Sequence, residues 1–433
     1  MKRLTILAVA ICVMASSVSA QIFKAKQTEK VEPSTEHYDA PAGKSIYIPK
    51  ELQDNDFSNP NSKWCYKRSA CTDDIIIFWE RAFGDDLSKA PALEGKNMTV
   101  DLPNLLERIQ SFYDFYKNDL KFILPGSNAD KYRMMVMLSY SLEGTAYGGD
   151  YDNTIGALWI APNRVQDKKL NCIAHELGHS FQSQVSCDKA GHGMAGGGIY
   201  EMCSQWMLFQ VNPEWPTDEN YHWNDFCKQA NLRFLAGENI YHSCYVLEYW
   251  SQKRGLTVMA DLWRAATREE DPAMTYMRMF NLTNRDFAIE CCDCYSQLLT
   301  FDFKGKHEQN KKYAGQFVND KDLHMFGANS IKLDVAGKKK ITLSFNGQNN
   351  PLEDAYAYRL VAVNANADAT YSEISTEYKG KIKFNIPEDT KDVYLVVTGY
   401  PMGKYKPETF GHRRNQEEKK EEPTIYKYTY NVK

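Results

Sequence analysis

Past its first twenty residues, this chain of 433 has no segment approaching the ~18 consecutive apolar residues that a membrane-spanning helix needs. It also lacks an excess of either charge. Lys and Arg number 52 against 56 Asp and Glu, a net charge of −4, so bulk electrostatics points neither to nucleic acid nor to an anionic membrane surface. There is no internal repeat, so the chain is not an array of one unit. Paired C-x-x-C spacing is missing as well, which argues against a thiolate metal site in the run Cys291-Cys292-Asp293-Cys294. What is present is ordinary globular material. Hydrophobic residues make up 43% and charged residues 25%, enough for a large core, and the length suggests two to three domains. Aromatics reach 13%, with 27 tyrosines, a richness that suits exported proteins binding glycans or peptides.

The first twenty residues read as a signal peptide. Lys2 and Arg3 form the basic start, residues 4–14 are apolar, and Val18-Ser19-Ala20 is a small-residue cleavage pattern that leaves Gln21 first. Cys12 lies inside the apolar stretch, where a lipoprotein cysteine would not. The protein is therefore expected to be exported, either periplasmic or extracellular. The remaining cysteines, at 65, 71, 172, 187, 203, 227, 244, 291, 292 and 294, would meet an oxidising compartment. Some disulfides plus buried free thiols are expected, with Cys65 and Cys71 close enough in sequence to bridge.

Four regions follow. Residues 1–20 are the signal peptide, and residues 21–61, polar and carrying scattered prolines, an extended and mostly disordered leader. Residues 62–313 look like one α+β unit. Asp101-Leu102-Pro103 opens a helix, with Asp as cap and Pro in the first turn. Strand-like runs lie at 132–140 and 154–160, and the Gly- and Asp-rich stretch 144–153 between them reads as a hairpin or loop. Ala157, Leu158 and Trp159 are either an edge strand able to pair with an extended peptide or an interior strand. Helices are expected at 171–185, 199–210, 224–234, 243–254 and 256–266. Residues 314–433 change texture. Ile331, Leu333 and Val335 alternate with polar residues, as do Ile341, Leu343 and Phe345, then Ile382, Phe384 and Ile386. Val393 to Val397 is more continuous, and Tyr426, Tyr428, Tyr430 and Val432 close the chain. This is the pattern of an antiparallel β-sandwich, jelly-roll-like, with the charged run 413–422 as a solvated loop.

The chemistry concentrates in His175-Glu176-Leu177-Gly178-His179, an H-E-x-x-H string. Positions four apart stack on one helix face, so both imidazoles can reach one metal ion, and the glutamate can take a proton from a water the metal activates. A bare H-E-x-x-H arises by chance in roughly one chain in a hundred, so its surroundings must support it. They do. Ile173, Leu177 and Phe181 form a core stripe every four residues, and the two histidines lie nearly opposite it. Gly178 costs about 1 kcal/mol in a helix interior, which a close approach by another element or by substrate would explain.

A catalytic zinc centre needs a third protein ligand and an open position. Glu201 is the strongest candidate, because its carboxylate sits in an otherwise apolar helix with Met202, Trp206 and Phe209, where a cation would offset the cost of burial. The preceding glycine run lets the chain turn back sharply. His192 and Asp188 are the alternatives. The H-E-x-x-H-x-x-G-x-x-H pattern fails, since its third histidine position holds Val185.

H-E-x-x-H with a glutamate from a second helix resembles the gluzincin, thermolysin-clan zinc metallopeptidases. The strings HELGHSFQ and YEMCSQW also resemble a family of secreted bacterial proteins of unassigned function, a likeness running from Trp64 to about residue 400 and including Glu238-Asn239-Ile240-Tyr241-His242. The resemblance implies a zincin-like catalytic domain followed by the β-sandwich. It further implies Zn2+ held by His175, His179 and Glu201, with Glu176 as base. His242 or Tyr241 would be donor to the developing oxyanion, and Gln205 could orient a ligand. Neither the N-E-x-x-S-D string nor a G-x-M-E-N motif is present, which favours an endopeptidase acting on proteins or glycoproteins over an aminopeptidase. The rival reading is a non-catalytic glycan- or surface-binding protein with a structural or degenerate zinc site. Retention of Glu176 argues against it, because a structural site needs no base.

Overall fold

The computed structural model describes residues 31–144, 146–191, 193, 198–404, 407 and 423–433. The signal peptide with Cys12, the leader up to residue 30, His192, residues 194–197 of the glycine run and the charged run 413–422 lie outside the described residues. The chain forms two compact units, one ending at Ala190 and one beginning at Gly191.

The first unit is built on a five-stranded sheet of β1 (Ser69–Cys71), β2 (Ile75–Trp79), β3 (Met134–Leu138), β4 (Tyr147–Tyr151) and β5 (Ile155–Ile160), in the order β1-β2-β3-β5-β4. β2, β3 and β5 run parallel, while β1 and β4 are antiparallel additions at the two edges. Parallel strands are covered on both faces and so read as unbroken apolar runs; Ile75-Ile76-Ile77-Phe78-Trp79 and Met134-Met135-Val136-Met137-Leu138 are buried throughout. The stretch 144–153 contains a strand. β4 and β5 are joined by Asp152, Asn153 and Thr154; the first two are at positive φ (54° and 52°), and the Thr154 N–H donates to the Tyr151 carbonyl to close the turn. β5 is thus interior, and β4 rather than Ala157–Trp159 forms the edge. Helices α1 (Leu102–Asn118) and α3 (Asn171–Cys187) flank the short α2 (Asn128–Lys131) in sequence. Asp101 caps α1 through the Asn104 N–H, as its sequence suggests.

The leader is extended, yet residues 42–50 are fastened to the sheet and its hairpin and not disordered. Arg133, 3% exposed, donates to the carbonyls of Ala42, Lys44 and Thr72, and Ser45 bridges Tyr132. Asp152 accepts from Tyr47 Oη and the Lys50 N–H.

The second unit opens with helices α4 (Gly198–Val211), α5 (Trp215–Asp218), α6 (Tyr221–Gln229), α7 (Cys244–Arg254), α8 (Val258–Ala265), α9 (Pro272–Met279), α10 (Asn284–Leu298) and α11 (His307–Asn310). Two antiparallel sheets follow. One contains β6 (Ala328–Leu333), β8 (Asp354–Asn364), β9 (Ala369–Tyr371) and β11 (Thr390–Pro401) in the order β6-β11-β8-β9, and the other contains β7 (Lys340–Gly347), β10 (Lys379–Asn385) and β12 (Tyr428–Val432) in the order β10-β7-β12. Inward residues of both sheets, among them Leu343, Phe345, Tyr358, Leu360, Phe384 and Leu395, share one core. β7 and β10 alternate between buried and more exposed positions, as the sequence pattern implies. β8 and β11 do not alternate, because α10 lies on their outer face and buries it too. The result is an α+β protein with several antiparallel strand pairings.

None of the ten cysteines of the described residues is in a disulfide, Cys65 and Cys71 included, so the expected cross-links are not formed. No helix among the described residues is long and apolar enough to cross a membrane.

Candidate metal centre

The H-E-x-x-H string lies in the first half of α3, and the expected stripe is its core face: Ile173, Leu177 and Phe181 are at most 1% exposed. Phe181 packs edge-on against Tyr113 and Tyr116 of α1, and Tyr116 Oη donates to the Ala174 carbonyl 2.9 Å away. The other side of the helix is locked to the sheet. Ser180 Oγ donates to the Ala157 carbonyl at 2.7 Å, and the Gly156 N–H donates to Gln184 Oε1 at 2.8 Å.

Helix and edge strand meet more closely than side chains allow. A Cβ on Gly148 of β4 would stand 1.7 Å from the Glu176 carbonyl oxygen and 2.9 Å from His179 Cβ. Glycine lets the strand pass against the helix backbone, and the Gly148 N–H then donates to Glu176 Oε2 at 2.9 Å. The proposed base is therefore held by the backbone of β4. Gly156 acts similarly on β5, where a Cβ would come within 2.8 Å of the Ser180 carbonyl.

His175 and His179 turn their Nε2 atoms toward each other at 3.2 Å. Two nitrogens bound tetrahedrally to one zinc ion at ~2.0–2.1 Å would stand about 3.3 Å apart, so the pair has the bite such an ion requires. His179 Nδ1 lies 3.2 Å from Gln182 Oε1. Because that oxygen only accepts, Nδ1 carries the proton and the Nε2 lone pair is left for a ligand. Glu201, in the first turn of α4, completes the set: one ligand atom from each of His175, His179 and Glu201 lies within 4.8 Å of the others. Two neutral imidazoles and a carboxylate are a borderline-soft, mixed N/O donor set that suits zinc. Among the described residues this is the one group of three or more His, Cys, Asp or Glu side chains able to hold a metal ion, so Cys291, Cys292 and Cys294 do not form a second.

α4 starts tightly packed, since a Cβ on Gly198 would be 2.5 Å from Ile240 Cγ2. Asp188 is committed elsewhere: its carboxylate accepts from Ser127 Oγ (2.6 Å), the Asn128 N–H (3.0 Å) and Gln184 Nε2 (2.8 Å), tying the end of α3 to the start of α2. Gln205, one turn beyond Glu201, has its Nε2 3.1 Å from His222 Nε2. His222 in turn faces His242, with their Nδ1 atoms 2.9 Å apart, and Glu219 Oε2 lies 3.4 Å from His222 Nε2. His242 and Tyr241 are half-buried. Burial, with the neighbouring His222 second, pushes the pKa of His242 down to about 4, so its imidazole is neutral at physiological pH.

Gly148, Gln182 and His222 are contributions that sequence reading does not single out. Gln182, three residues after His179 on the same helix, was within reach of helical spacing. Gly148 and His222 act across 28 and 20 residues, and no local pattern marks them.

A family model described as "Family of unknown function (DUF6055)" matches residues 39–433. A search of curated protein sequences found no match. Among solved structures, the chain is similar to the ZmpB metallopeptidase from Clostridium perfringens, at 16% identity and a TM-score of 0.31 over 79% of this chain and 68% of that one. It is also similar to the catalytic module of the metalloprotease ZmpA from Clostridium perfringens, at 10% identity and a TM-score of 0.33 over 76% of this chain and 68% of that one. A third similar structure holds the M60 catalytic domain of Clostridium perfringens ZmpB with two CBM51 domains, at 15% identity and a TM-score of 0.32, where 79% of this chain matches 36% of that one.

Proposed function

The chain belongs to the DUF6055 family, and we propose that it is an exported zinc-dependent peptidase, an endopeptidase acting on proteins or glycoproteins. The observation that carries this reading is the convergence of one ligand atom each from His175, His179 and Glu201 to within 4.8 Å of one another, with Glu176 adjacent in the same helix. Zinc bound there supplies a Lewis acid that polarises a carbonyl and makes water a nucleophile near neutral pH. Glu176 receives the proton the attacking water loses and passes it to the leaving amine. The hydrogen bond from the Gly148 N–H keeps the Glu176 carboxylate in one orientation for that transfer. β4, at the edge of its sheet, offers an extended substrate a backbone partner, the role the sequence left open for Ala157–Trp159. His242, with Tyr241 as the alternative, donates to the oxygen on which negative charge develops. Residues 314–433 are the candidate for docking glycan on a glycoprotein substrate.

The test compares wild type with Glu176→Ala for zinc content and for cleavage of casein and mucin. Both proteins should carry stoichiometric zinc, and the variant should lose cleavage by roughly 10²- to 10⁴-fold, the scale of a lost general base. Zinc-free wild-type protein, or cleavage unchanged by the substitution, would contradict the proposal.

A further inference from the structure

His242 is part of a buried polar chain that starts one turn from Glu201. Gln205 on α4 is 4% exposed and His222 on α6 is 5% exposed. Their contact (Gln205 Nε2 to His222 Nε2, 3.1 Å) and the next one (His222 Nδ1 to His242 Nδ1, 2.9 Å) place three side chains in series. The middle ring is fixed in position. Trp215 lies 5.3 Å and Tyr221 4.1 Å from the His222 ring, centroid to centroid, both within 40° of parallel.

We propose that His222 is a positioning residue that sets the tautomer of His242, holding its proton on Nε2 so that the ring presents a hydrogen-bond donor. The inference rests on the reading of His242 as the oxyanion donor and deepens it. It follows from counting protons. An amide nitrogen only donates, so His222 Nε2 must accept from Gln205 and the His222 proton must sit on Nδ1. That proton points at His242 Nδ1, which must then accept, and the remaining proton of a neutral His242 is on Nε2. Glu219 Oε2 lies farther from the same nitrogen, at 3.4 Å, so the nearer Gln205 amide sets its role. The opposite arrangement puts a His222 Nε2–H against the Gln205 amide protons at 3.1 Å, a donor facing a donor in a buried setting where such a mismatch is costly. The depressed basicity of His242 agrees with this assignment, since a ring that stays neutral retains one defined donor. The consequence for mechanism is specific. In this tautomer the Nε2 of His242 can neither ligate a metal nor act as a base, and it can polarise a substrate carbonyl.

The test is long-range ¹H–¹⁵N correlation on the full chain labelled at histidine, at pH 7, with His242 assigned by its loss in His242→Gln. In wild type His242 should show the Nε2–H pattern. In His222→Phe the pattern should move to a mixture of tautomers, and in His222→Asn, whose amide can still donate to His242 Nδ1, it should return. Cleavage should follow the same order, with kcat down roughly ten- to a hundred-fold in His222→Phe, partly restored in His222→Asn, and KM unchanged. An Nδ1–H pattern for His242 in wild type, or an Nε2–H pattern untouched in His222→Phe, overturns the proposal. If His222→Phe does not fold, the wild-type pattern and His222→Asn decide. The tautomer is read without turnover, so a protein that cleaves nothing would sink the peptidase reading and leave this one standing on its own result.

Discussion

Gly148 shows how far the site depends on one missing carbon. The Glu176 carbonyl lies where its Cβ would be, at 1.7 Å, and the obstacle is backbone at the middle of α3, which cannot move aside as a flexible side chain would. Gly148→Ala should therefore destabilise by about 3 kcal/mol or more, read as a shift in the denaturant midpoint. Gly403→Ala, with nothing within 4 Å of the added carbon, should stay within about 0.5 kcal/mol of wild type. Equal stability of the two variants would refute the close approach. His242 supplies a second residue-scale expectation. Its pKa is about 4 in the folded chain, against an ordinary 6.5, with burial first and His222 second among the causes; Asp225 opposes the shift and Lys228 adds to it. The unfolded chain therefore takes up this proton first as pH falls, so the stability tied to this site is complete above about pH 6.5 and is lost on descending toward pH 4. The thermal midpoint should fall more steeply between pH 6.5 and 4 in wild type than in His242→Gln, and parallel profiles would contradict the assignment. The meeting of the two histidines was legible because helical spacing alone brings them to one face. Gly148 was not, because a glycine in a Gly- and Asp-rich stretch looks like turn material until the helix it meets is known.

At the scale of elements, hydrophobic period was a good guide wherever one face meets solvent. β7 and β10 alternate in sequence and in burial. It failed where both faces are covered. β8, residues 354–364, is the second longest strand, yet its run Ala-Tyr-Ala-Tyr-Arg-Leu-Val-Ala-Val shows no alternation, because the core takes one face and α10 the other. β4 was hidden for a different reason, since glycine at 148 and 149 suppresses the strand signal that close packing demands. The leader was misjudged because its polar, proline-bearing composition says nothing of a partner. That partner is Arg133, whose guanidinium gathers the carbonyls of Ala42 and Lys44 at 2.7 Å each and of Thr72 at 2.9 Å. Arg133→Met would leave these acceptors without their donor, at a cost of about 3 kcal/mol or more, and should free the segment around residues 38–50 for limited proteolysis while the remainder resists. Wild-type resistance of that segment in the variant would show that the arginine does not hold it.

For the molecule as a whole, near-neutral charge and an ordinary composition gave class and little else. Cysteine usage misled, for a chain expected to be exported was expected to cross-link, whereas seven of the ten cysteines of the described residues are buried and none is in a disulfide. They behave as small apolar core residues, and burial raises the pKa of Cys244, Cys291 and Cys294 well above the ordinary thiol value. The candidate centre draws its donors from residues 175, 179 and 201, so it is complete only in the folded chain, and metal affinity should report on that assembly. The decisive measurement is zinc stoichiometry and affinity of wild type beside Glu201→Ala and His179→Ala, each checked for an unchanged circular dichroism spectrum. Wild type should bind one zinc ion per chain tightly, and each variant should lose most of that affinity. Folded variants that hold zinc as well as wild type, or a wild type that takes up none, would contradict the shared ligand set of His175, His179 and Glu201.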